Sequence, residues 1–351
     1  MGARLARLAM KLLVVTQAVD TEDPVLGFFV HWIEEFSKRV EHTEVICLKL
    51  GRSDLPKNVG IYSLGKERGA ASRAAYAWRF LSLAWKLRND YDAVFVHMNQ
   101  EYILLAGWLW KLLGKRVYLW RNHYAGSLFT DVAAMFCTKV FCTSRYSYTA
   151  RYKKAMLMPV GIDTDRFFPD ARVARTSHSI FFLARMSPSK RPEMLIDALA
   201  MLAREGQTFT SSFVGSPLPQ DEVYYEGLKE KVRALGLADR ITFLPGVPND
   251  QTPDLYRAHE VFVNASPSGM LDKTIFEAAA SGCLVLVASV DIRKEPGGEC
   301  YTFQDAADLA GRLKGFFRSS REERDMLSHT LVAMVGKNSL KALGTKIYNA
   351  F

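Results

Sequence analysis

The sequence contains little cysteine, and none of it is spaced like a metal or redox site. Five cysteines occur among 351 residues, and no two of them form a CxxC pair. The seven histidines are scattered and never occur as HExxH. Because zinc sites are built from such closely spaced ligands, we predict no metal site. The cysteines fit core positions of a protein from a reducing compartment.

Long apolar runs are also missing. The nearest to one, Tyr102 to Trp110, ends at Lys111, whereas a membrane-spanning helix needs about 20 apolar residues. The N-terminal sequence MGARLARLAMKLLVVTQ mixes arginines with short apolar pieces, which is not typical of a signal peptide. We therefore expect a cytoplasmic protein, either free or at the inner face of the cytoplasmic membrane.

Two common phosphate-binding motifs are absent. The residues after the first apolar segment read TQAVDTEDPVLGFF and contain no GxGxxG, and neither GxxxxGKS nor GxxxxGKT occurs in the chain. These absences argue against nicotinamide-dependent and P-loop chemistry.

Acidic residues are scarce in the first part of the chain. Residues 1–157 carry 23 lysines and arginines against 13 acidic residues, while residues 158–351 carry 23 against 24. The net charge of +9 therefore comes from the first part. Such asymmetry predicts that this part faces an anionic partner.

What the chain has instead is a regular alternation of apolar strand patterns and amphipathic helix patterns. In the first part, strand patterns (10–17, 44–50, 93–98, 116–122 and 139–144) alternate with helix patterns (27–40, 71–88 and 103–114). The alternation resumes after a break at 158–178 that carries proline and glycine. This order predicts an α/β fold of two doubly wound domains, 1–157 and 158–336. Ligands of such sheets bind at the carboxyl ends of the strands, so a cleft between the domains is the expected site.

One segment, SPSGMLDKTIFEAAASGCLVL at 266–286, combines a small-residue loop with the start of a helix. The first amide groups of a helix have no partner within it and, with the positive end of the helix dipole, favour an anion. Glu277, which we expect two to three residues into this helix, is a candidate acceptor for sugar hydroxyl groups. The segment therefore predicts a site for a phosphate-bearing ligand.

Several spaced segments carry a family resemblance. They read, in chain order, PVGIDTDRF, FFLARMSPSKRPEMLIDALAML, FVG, YYEGLKEKVRALGLADRITFLPGV, LYRAHEVFVNAS and FEAAASGCLVLVAS. This order resembles that of family-4 retaining glycosyltransferases of the GT-B fold, over most of residues 155–290. The first part resembles the acceptor domain of that family more loosely, through TQAVDTEDPVLGFF and WRNH.

The resemblance implies two Rossmann-like domains that face each other across a cleft, an N-terminal acceptor domain and a C-terminal nucleotide-sugar domain. It also implies that the last residues, about 337–351, form a helix that crosses back onto the first domain. The implied reaction moves a sugar from a UDP- or GDP-linked donor to a glycan or lipid-linked acceptor, with no metal and no cofactor. Retention is attributed in such enzymes to a front-face mechanism, in which the leaving phosphate takes the acceptor proton.

On the donor side, Arg185 and Lys190 match the paired basic residues that hold the donor diphosphate; outside this motif they would be an ordinary solvated pair. Glu277 matches the glutamate that binds the nucleotide ribose, and its alternative is an exposed acid that complements the helix dipole. Gly246 and Val247 correspond to a backbone clamp on the nucleotide base. The loop and helix start that would contact the distal phosphate and the donor sugar consist of Gly269, Met270, Leu271, Asp272, Lys273 and Thr274.

One position departs from the family pattern. The family has a further glutamate eight residues before the one matched by Glu277, and it contacts hydroxyl groups of the donor sugar. This chain has Gly269 there. Either Asp272 replaces the glutamate with an altered sugar preference, or activity is weak or lost. The sequence therefore leaves open an alternative function, that of a catalytically weak nucleotide-sugar-binding partner or scaffold.

In the first part of the chain, His123 follows a strand pattern and matches a family histidine that contacts the reacting hydroxyl or the donor sugar. A lone histidine is also typical of a structural position. Gly27, before the first helix pattern, permits close backbone approach to a donor phosphate or sugar, or makes a simple turn. The polar residues that end the strand pattern at 93–98 are candidates for acceptor hydroxyl groups, or form an ordinary loop: Asn99, Gln100 and Glu101.

Basic residues are interleaved with tryptophans at 71–88 and 108–116. This mixture is typical of contact with an anionic membrane surface. The alternative is that the tryptophans pack in the core while the basic groups face water. No nucleic-acid recognition motif accompanies the charge, so nucleic acid is not the expected partner.

Overall fold

The computed structural model of the protein describes residues 10–69, 71–269, 271–294 and 298–351. The chain forms two compact units. The first comprises the chain up to Gly161 together with Pro248–Asp250 and Leu340–Phe351, and the second comprises Ile162–Val247 and Gln251–Ser339.

Strands and helices alternate along most of the described chain. The strands are β1 (Lys11–Val19), β2 (His42–Leu50), β3 (Val59–Ser63), β4 (Ala93–His97), β5 (Arg116–Trp120), β6 (Lys139–Cys142), β7 (Ala155–Leu157), β8 (Thr176–Leu183), β9 (Thr210–Val214), β10 (Ile241–Leu244), β11 (His259–Asn264) and β12 (Leu284–Val287). The α-helices are α1 (Phe28–Ser37), α2 (Arg73–Lys86), α3 (Glu101–Leu112), α4 (Leu128–Phe136), α5 (Pro192–Arg204), α6 (Glu222–Ala234), α7 (Thr252–Ala258), α8 (Lys273–Ala280), α9 (Ala306–Arg318), α10 (Arg321–Lys337) and α11 (Leu340–Ala350).

The first unit is built on a seven-stranded parallel sheet with the strand order β3-β2-β1-β4-β5-β6-β7. Alternate residues of the central strand β1 pack on opposite faces of this sheet. Leu12 and Val14 belong to a buried cluster that includes α1 and α11, whereas Leu13 and Val15 belong to a second cluster that includes α2, α3 and α4. This period of two is what a strand covered by helices on both faces requires.

The second unit is built on a five-stranded parallel sheet with the order β10-β9-β8-β11-β12. Its strand residues Ile180, Phe181, Val261 and Phe262 are fully buried. In both units the order begins in the middle and grows outward in two directions, which is the order of a Rossmann-type sheet.

The predicted α/β class with two doubly wound units is confirmed. Strands β3 and β7 and helices α4, α9 and α10 have no counterpart among the predicted elements. The two strands are short and only half-buried along their length, so they lack the apolar run by which a buried strand is predicted. No helix in the described ranges is long and apolar enough to cross a membrane.

Candidate functional site

The strand order of the second unit creates a point at which two loops diverge. Strands β8 and β11 are hydrogen-bonded neighbours, but the chain leaves β8 towards β9 on one side and leaves β11 towards β12 on the other. Open α/β sheets bind ligands at such a point, beyond the carboxyl ends of the strands. The loop after β8 carries Arg185 and Lys190, and the loop after β11 carries residues 265–272.

Four side chains from these two loops and the end of β11 form a hydrogen-bonded group, here called the switch-point cluster: Lys190, Asn264, Ser266 and Asp272. The Lys190 ammonium donates to Asp272 Oδ2 at 2.7 Å and to Ser266 Oγ at 3.3 Å. Ser266 Oγ donates to the same Asp272 oxygen at 2.6 Å, and Asn264 Nδ2 donates to it at 3.1 Å. The cluster is shielded from water, since the side chains of Lys190 and Asp272 are 15% and 22% exposed.

The electrostatics of the cluster favour an ionised Asp272. Burial alone would raise the pKa of this carboxyl group, but the Lys190 charge and the donated hydrogen bonds outweigh it, so the pKa lies below its ordinary value. The stabilisation is therefore present above the ordinary carboxyl pKa and is lost as the pH falls through the lowered value. At neutral pH the cluster holds a charged pair.

Asp272 also stands at the N-cap position of α8. Aspartate is a preferred N-cap because its carboxylate accepts from the first amide groups of a helix, yet among the described residues the Asp272 side chain makes no such capping bond. The residue that follows, Lys273, is half-buried, and burial lowers its pKa to about 7, while the Glu277 charge opposes this shift. The start of α8 thus places a second amine, that of Lys273, directly after the residue at the N-cap position.

Glu277 is the fifth residue of α8, so the expectation of two to three residues into the helix is wrong. The reason is that Asp272 caps the helix by its position and Lys273 begins it. Glu277 is buried at 4% exposure and accepts a hydrogen bond from the Tyr256 hydroxyl at 3.1 Å. Burial first, and then the adjacent Glu277 charge, raise the pKa of Tyr256 well above its ordinary value. Glu277 is therefore not an exposed acid at a helix end.

The remaining predicted donor residues of the second unit have varied environments. Arg185 is exposed, and its guanidinium makes no hydrogen bond or ion pair within the described part of the chain. The Gly246 amide donates to Ser216 Oγ at 3.0 Å. Val247, Leu271 and Thr274 are half-buried.

Gly269 adopts φ +87°, a left-handed conformation that favours glycine. Its amide donates to Asp291 Oδ2 at 3.1 Å, and that oxygen also accepts from Ser289 Oγ at 3.0 Å. A carboxylate from the loop after β12 therefore lies beside the position where the family pattern has a glutamate. Met270 lies outside the described residues.

In the first unit, Gly27 precedes α1 in a crowded turn. A Cβ atom there would lie 2.8 Å from the carbonyl oxygens of Thr21 and Asp23, closer than a side chain tolerates, so packing alone accounts for this glycine. His123 follows β5, and its Nδ1 accepts from the Ala125 amide at 2.9 Å while its ring stacks on Tyr124 with centroids 4.6 Å apart. These contacts orient the imidazole.

Gln100 and two further side chains at the carboxyl ends of neighbouring strands carry buried atoms with no hydrogen-bond partner in the described chain. They are Gln100 Oε1 after β4, Arg121 Nε after β5 and Thr143 Oγ1 after β6. Buried polar atoms are costly when unpaired, and such atoms in a folded protein point to water or a ligand. Asn99 is half-buried and Glu101, the first residue of α3, is exposed.

The outer surface of helices α2 and α3 exposes large apolar side chains: Trp78 at 70%, Trp85 at 52%, Trp108 at 51% and Leu112 at 78%. Residues 71–88 hold four basic residues and no acidic one. The Arg88 guanidinium lies 4.4 Å from the centre of the Trp85 ring. The alternative in which all these tryptophans pack in the core is therefore wrong for three of them, while Trp110 is buried.

A family model described as "Glycosyl transferases group 1" matches residues 177–318. The match covers less than half of the chain. It confirms the resemblance on which the sequence expectation rested, and the matched residues include the switch-point cluster, α8 and Arg185. Among the described residues, no group of three or more His, Cys, Asp or Glu side chains is arranged to hold a metal ion.

Curated relatives match part of this chain. A mannosylfructose-phosphate synthase of Agrobacterium fabrum is 32% identical over 152 residues, which are 40% of this chain and 34% of the relative. A D-inositol 3-phosphate glycosyltransferase of Geodermatophilus obscurus is 28% identical over 198 residues, 52% of this chain and 43% of the relative. The matched part is thus less than half the length of either relative.

Solved structures extend the likeness to the fold of the whole chain. The crystal structure of Anabaena Alr3699/HepE in complex with UDP and glucose aligns with a TM-score of 0.75 at 18% identity and covers 97% of this chain and 99% of that one. At this identity the likeness concerns the fold, and it confirms the GT-B type.

Several side chains of the candidate site were not predicted from the sequence: Asn264, Ser266, Tyr256, Asp291, Arg121 and Thr143. Asn264 and Ser266 had a usable signal, because a polar residue directly after a buried apolar strand stands at the carboxyl edge where ligands bind. Tyr256 and Asp291 had none, because their contacts depend on the packing of elements remote in the sequence.

Proposed function

We propose that the protein is a retaining glycosyltransferase that moves a sugar from a nucleotide-sugar donor to a glycan or lipid-linked acceptor without a metal ion. The observation that carries the proposal is the switch-point cluster, in which Lys190 lies beside the uncapped start of α8. Sugar transfer makes a nucleoside diphosphate leave with growing negative charge. A fixed cation beside the N-terminus of a helix, in a site partly shielded from water, stabilises that charge.

The donor residues have distinct roles in this proposal. Lys190 and the exposed Arg185 bind the diphosphate, and Glu277, held by the buried Tyr256 hydroxyl, accepts from the ribose hydroxyl groups. Gly246 and Val247 hold the base through their backbone. The described residues between Gly269 and Thr274, with Met270, contact the distal phosphate and the donor sugar.

UDP is the first nucleotide to test. The Anabaena protein of like fold was crystallised with UDP and glucose, which supports a uridine donor ahead of a guanosine one. The names of the curated relatives, a mannosylfructose-phosphate synthase and a D-inositol 3-phosphate glycosyltransferase, support polyhydroxylated acceptors.

The acceptor binds at the first unit in this proposal. Asn99, Gln100 and Glu101 remain its candidates. His123 remains the candidate contact to the reacting hydroxyl or the donor sugar, and Gly27 the candidate for close backbone approach to the donor. The unpartnered Gln100 Oε1 accepts from an acceptor hydroxyl group, and the other unpartnered atoms near it, Arg121 Nε and Thr143 Oγ1, bind further oxygens of the same ligand.

The reaction proceeds at one face of the sugar. The bond between the anomeric carbon and the phosphate oxygen breaks, the acceptor oxygen bonds to the same face of that carbon, and the acceptor proton passes to the leaving phosphate. Protein groups then supply position and charge stabilisation, and no carboxylate nucleophile is required.

Contact with the inner face of the cytoplasmic membrane is part of the proposal. Three exposed tryptophans on α2 and α3, with basic residues around them, fit a surface of anionic lipid headgroups. Such contact would bring the enzyme to a lipid-linked acceptor.

A panel of UDP- and GDP-linked sugars tests the function. Donors that raise the melting temperature are incubated with and without candidate acceptors, and released nucleotide and product are measured. We expect one nucleotide class to stabilise the protein and at least one of its sugars to be hydrolysed or transferred, with a product of the same anomeric configuration as the donor in the NMR spectrum.

The second candidate function is a catalytically weak nucleotide-sugar-binding partner, and Gly269 favours it because a family glutamate is missing there. The same panel distinguishes the two. Stabilisation by a donor without turnover for any donor and acceptor favours the binding partner, whereas the absence of binding by every nucleotide contradicts both.

A further inference from the structure

Asp272 is paired with Lys190, the cation that the proposed function assigns to the donor diphosphate. Its Oδ2 accepts from Lys190 at 2.7 Å, from Ser266 at 2.6 Å and from Asn264 at 3.1 Å. The positive charge of Lys190 is therefore neutralised before any ligand arrives. A diphosphate that binds Lys190 must either share it with this carboxylate or displace it.

Sharing is unfavourable. A phosphate oxygen bound to Lys190 would come within a few ångströms of the Asp272 carboxylate, and like charges at such a distance in a half-buried site repel each other strongly. No capping bond to the described helix amides holds the Asp272 side chain at the N-cap of α8, so its rotation does not break one. Its backbone need not move for the side chain to turn away from Lys190.

A displaced Asp272 needs new hydrogen-bond donors, because an ionised carboxylate shielded from water is costly without them. The Gly269 amide already donates to Asp291 at 3.1 Å, and the N-terminus of α8 binds the phosphate in the proposed function. The hydroxyl groups of a donor sugar are donors of the right kind, and the sugar is attached to the phosphate that displaces the carboxylate.

We propose that the donor diphosphate displaces Asp272 from Lys190 and that the released carboxylate then accepts hydrogen bonds from hydroxyl groups of the donor sugar. This inference rests on the proposed function of Lys190. No covalent bond changes: Lys190 exchanges a carboxylate for a phosphate, and Asp272 exchanges an ammonium for hydroxyl groups. Asp272 thereby makes binding depend on the sugar, because a nucleoside diphosphate without a sugar leaves its charge uncompensated.

Titration calorimetry with UDP and with UDP-glucose tests the exchange in the full-length protein. In the wild type, UDP-glucose binds more tightly than UDP. The variant Asp272→Asn removes the competing charge, so it binds UDP about threefold or more tightly than the wild type does, a change typical of one partly exposed ion pair. The advantage of UDP-glucose over UDP falls in this variant, and kcat falls by about tenfold or more because a contact to the reacting sugar is weakened.

Two further variants control the result. Asp197→Asn removes a carboxylate from another ion pair of the same unit, with Lys231 at 2.6 Å, and leaves both affinities unchanged. Asp272→Glu keeps the negative charge and therefore does not tighten UDP binding. In a Lys190→Ala background the gain from Asp272→Asn disappears, since the cation for which carboxylate and phosphate compete is gone.

Each other outcome has a definite meaning. Weaker UDP binding by a folded Asp272→Asn variant shows that Asp272 positions Lys190 for phosphate, and this overturns the exchange. If Asp272→Asn binds UDP more tightly but keeps the preference for UDP-glucose and the wild-type kcat, Asp272 does not contact the sugar, and this part of the proposal is overturned. If the wild type binds neither these two compounds nor GDP and its sugar conjugates, the proposed function falls first and the inference falls with it.

Discussion

Lys190 and Asp272 are 82 residues apart in the chain, yet their charged atoms lie 2.7 Å apart. Each residue was assigned to the donor site from the family resemblance, but their pairing was not predicted. The pairing follows from the strand order, which makes β8 and β11 neighbours although β9 and β10 lie between them in sequence. Sequence motifs name the residues of a loop, whereas strand order decides which two loops meet.

Glu277 illustrates the same limit at another residue. The family pattern identifies it, but nothing in the sequence indicates that Tyr256 is fully buried beside it. A tyrosine on a short amphipathic helix serves equally well at the surface. Its orientation depends on the packing between α7 and α8. The periodic pattern of a single helix carries no information about that packing.

Lys273 leads to a prediction about pH. Burial lowers its pKa to about 7 from an ordinary value of 10.5, so between these values the unfolded chain binds more protons than the folded one, and stability rises with pH. We expect Lys273→Met to raise the melting temperature at pH 7 by about 2 °C or more. The gain should shrink towards pH 10, where the amine begins to lose its proton in the unfolded chain as well.

Calorimetric melting curves from pH 6 to pH 10 provide the measurement. Lys337→Met, at an exposed position of α10, serves as the matched control and should leave the pH dependence of the wild type intact. Parallel curves for the wild type and Lys273→Met over the whole range would contradict the assigned cause.

In helix α2, the periodicity of the apolar residues predicts the helix but not which of its faces packs in the core. Trp78 and Trp85 are seven residues apart and therefore share one face, while the buried residues Phe80 and Ala84 share another. The pattern predicted the helix. It did not decide which apolar face is the core, because both carry large hydrophobic side chains.

The exposed face of α2 and α3 leads to a prediction about membranes. The triple variant with Trp78, Trp85 and Trp108 replaced by alanine should sediment with vesicles of phosphatidylcholine and phosphatidylglycerol at least about fivefold less than the wild type, because buried aromatic area drives interfacial binding. Binding of the wild type to vesicles of phosphatidylcholine alone should be weak, since the attraction of basic residues is lost.

The control for this experiment is a triple variant of exposed apolar residues in the second unit: Leu218→Ala, Val223→Ala and Met326→Ala. It should bind anionic vesicles as the wild type does. Equal loss in both triple variants, or no loss in either, would show that the tryptophan face is not the membrane contact.

The two units have the same type of sheet, but the basic excess and the family match lie in different parts of the chain. Both sheets are parallel and have the Rossmann-type order, so the alternation of strand and helix patterns was sufficient to predict the class. The basic excess belongs to residues 1–157, whereas the family match belongs to residues 177–318. The donor chemistry could therefore be predicted residue by residue, while the acceptor remains a matter of candidate side chains at strand ends.

In the proposed function, Lys190 of the switch-point cluster and Arg185 bind the diphosphate of a nucleotide-sugar donor. The most direct test is a UDP titration of the wild type, Lys190→Ala, Arg185→Ala and the control Arg204→Ala, which removes an exposed charge at the end of α5. We predict that Lys190→Ala and Arg185→Ala each weaken UDP binding by about tenfold or more, since a charge-assisted phosphate contact contributes roughly 1.5–3 kcal/mol, and that Arg204→Ala does not. If both site variants remain folded and bind UDP as tightly as the wild type, neither side chain binds the diphosphate as proposed.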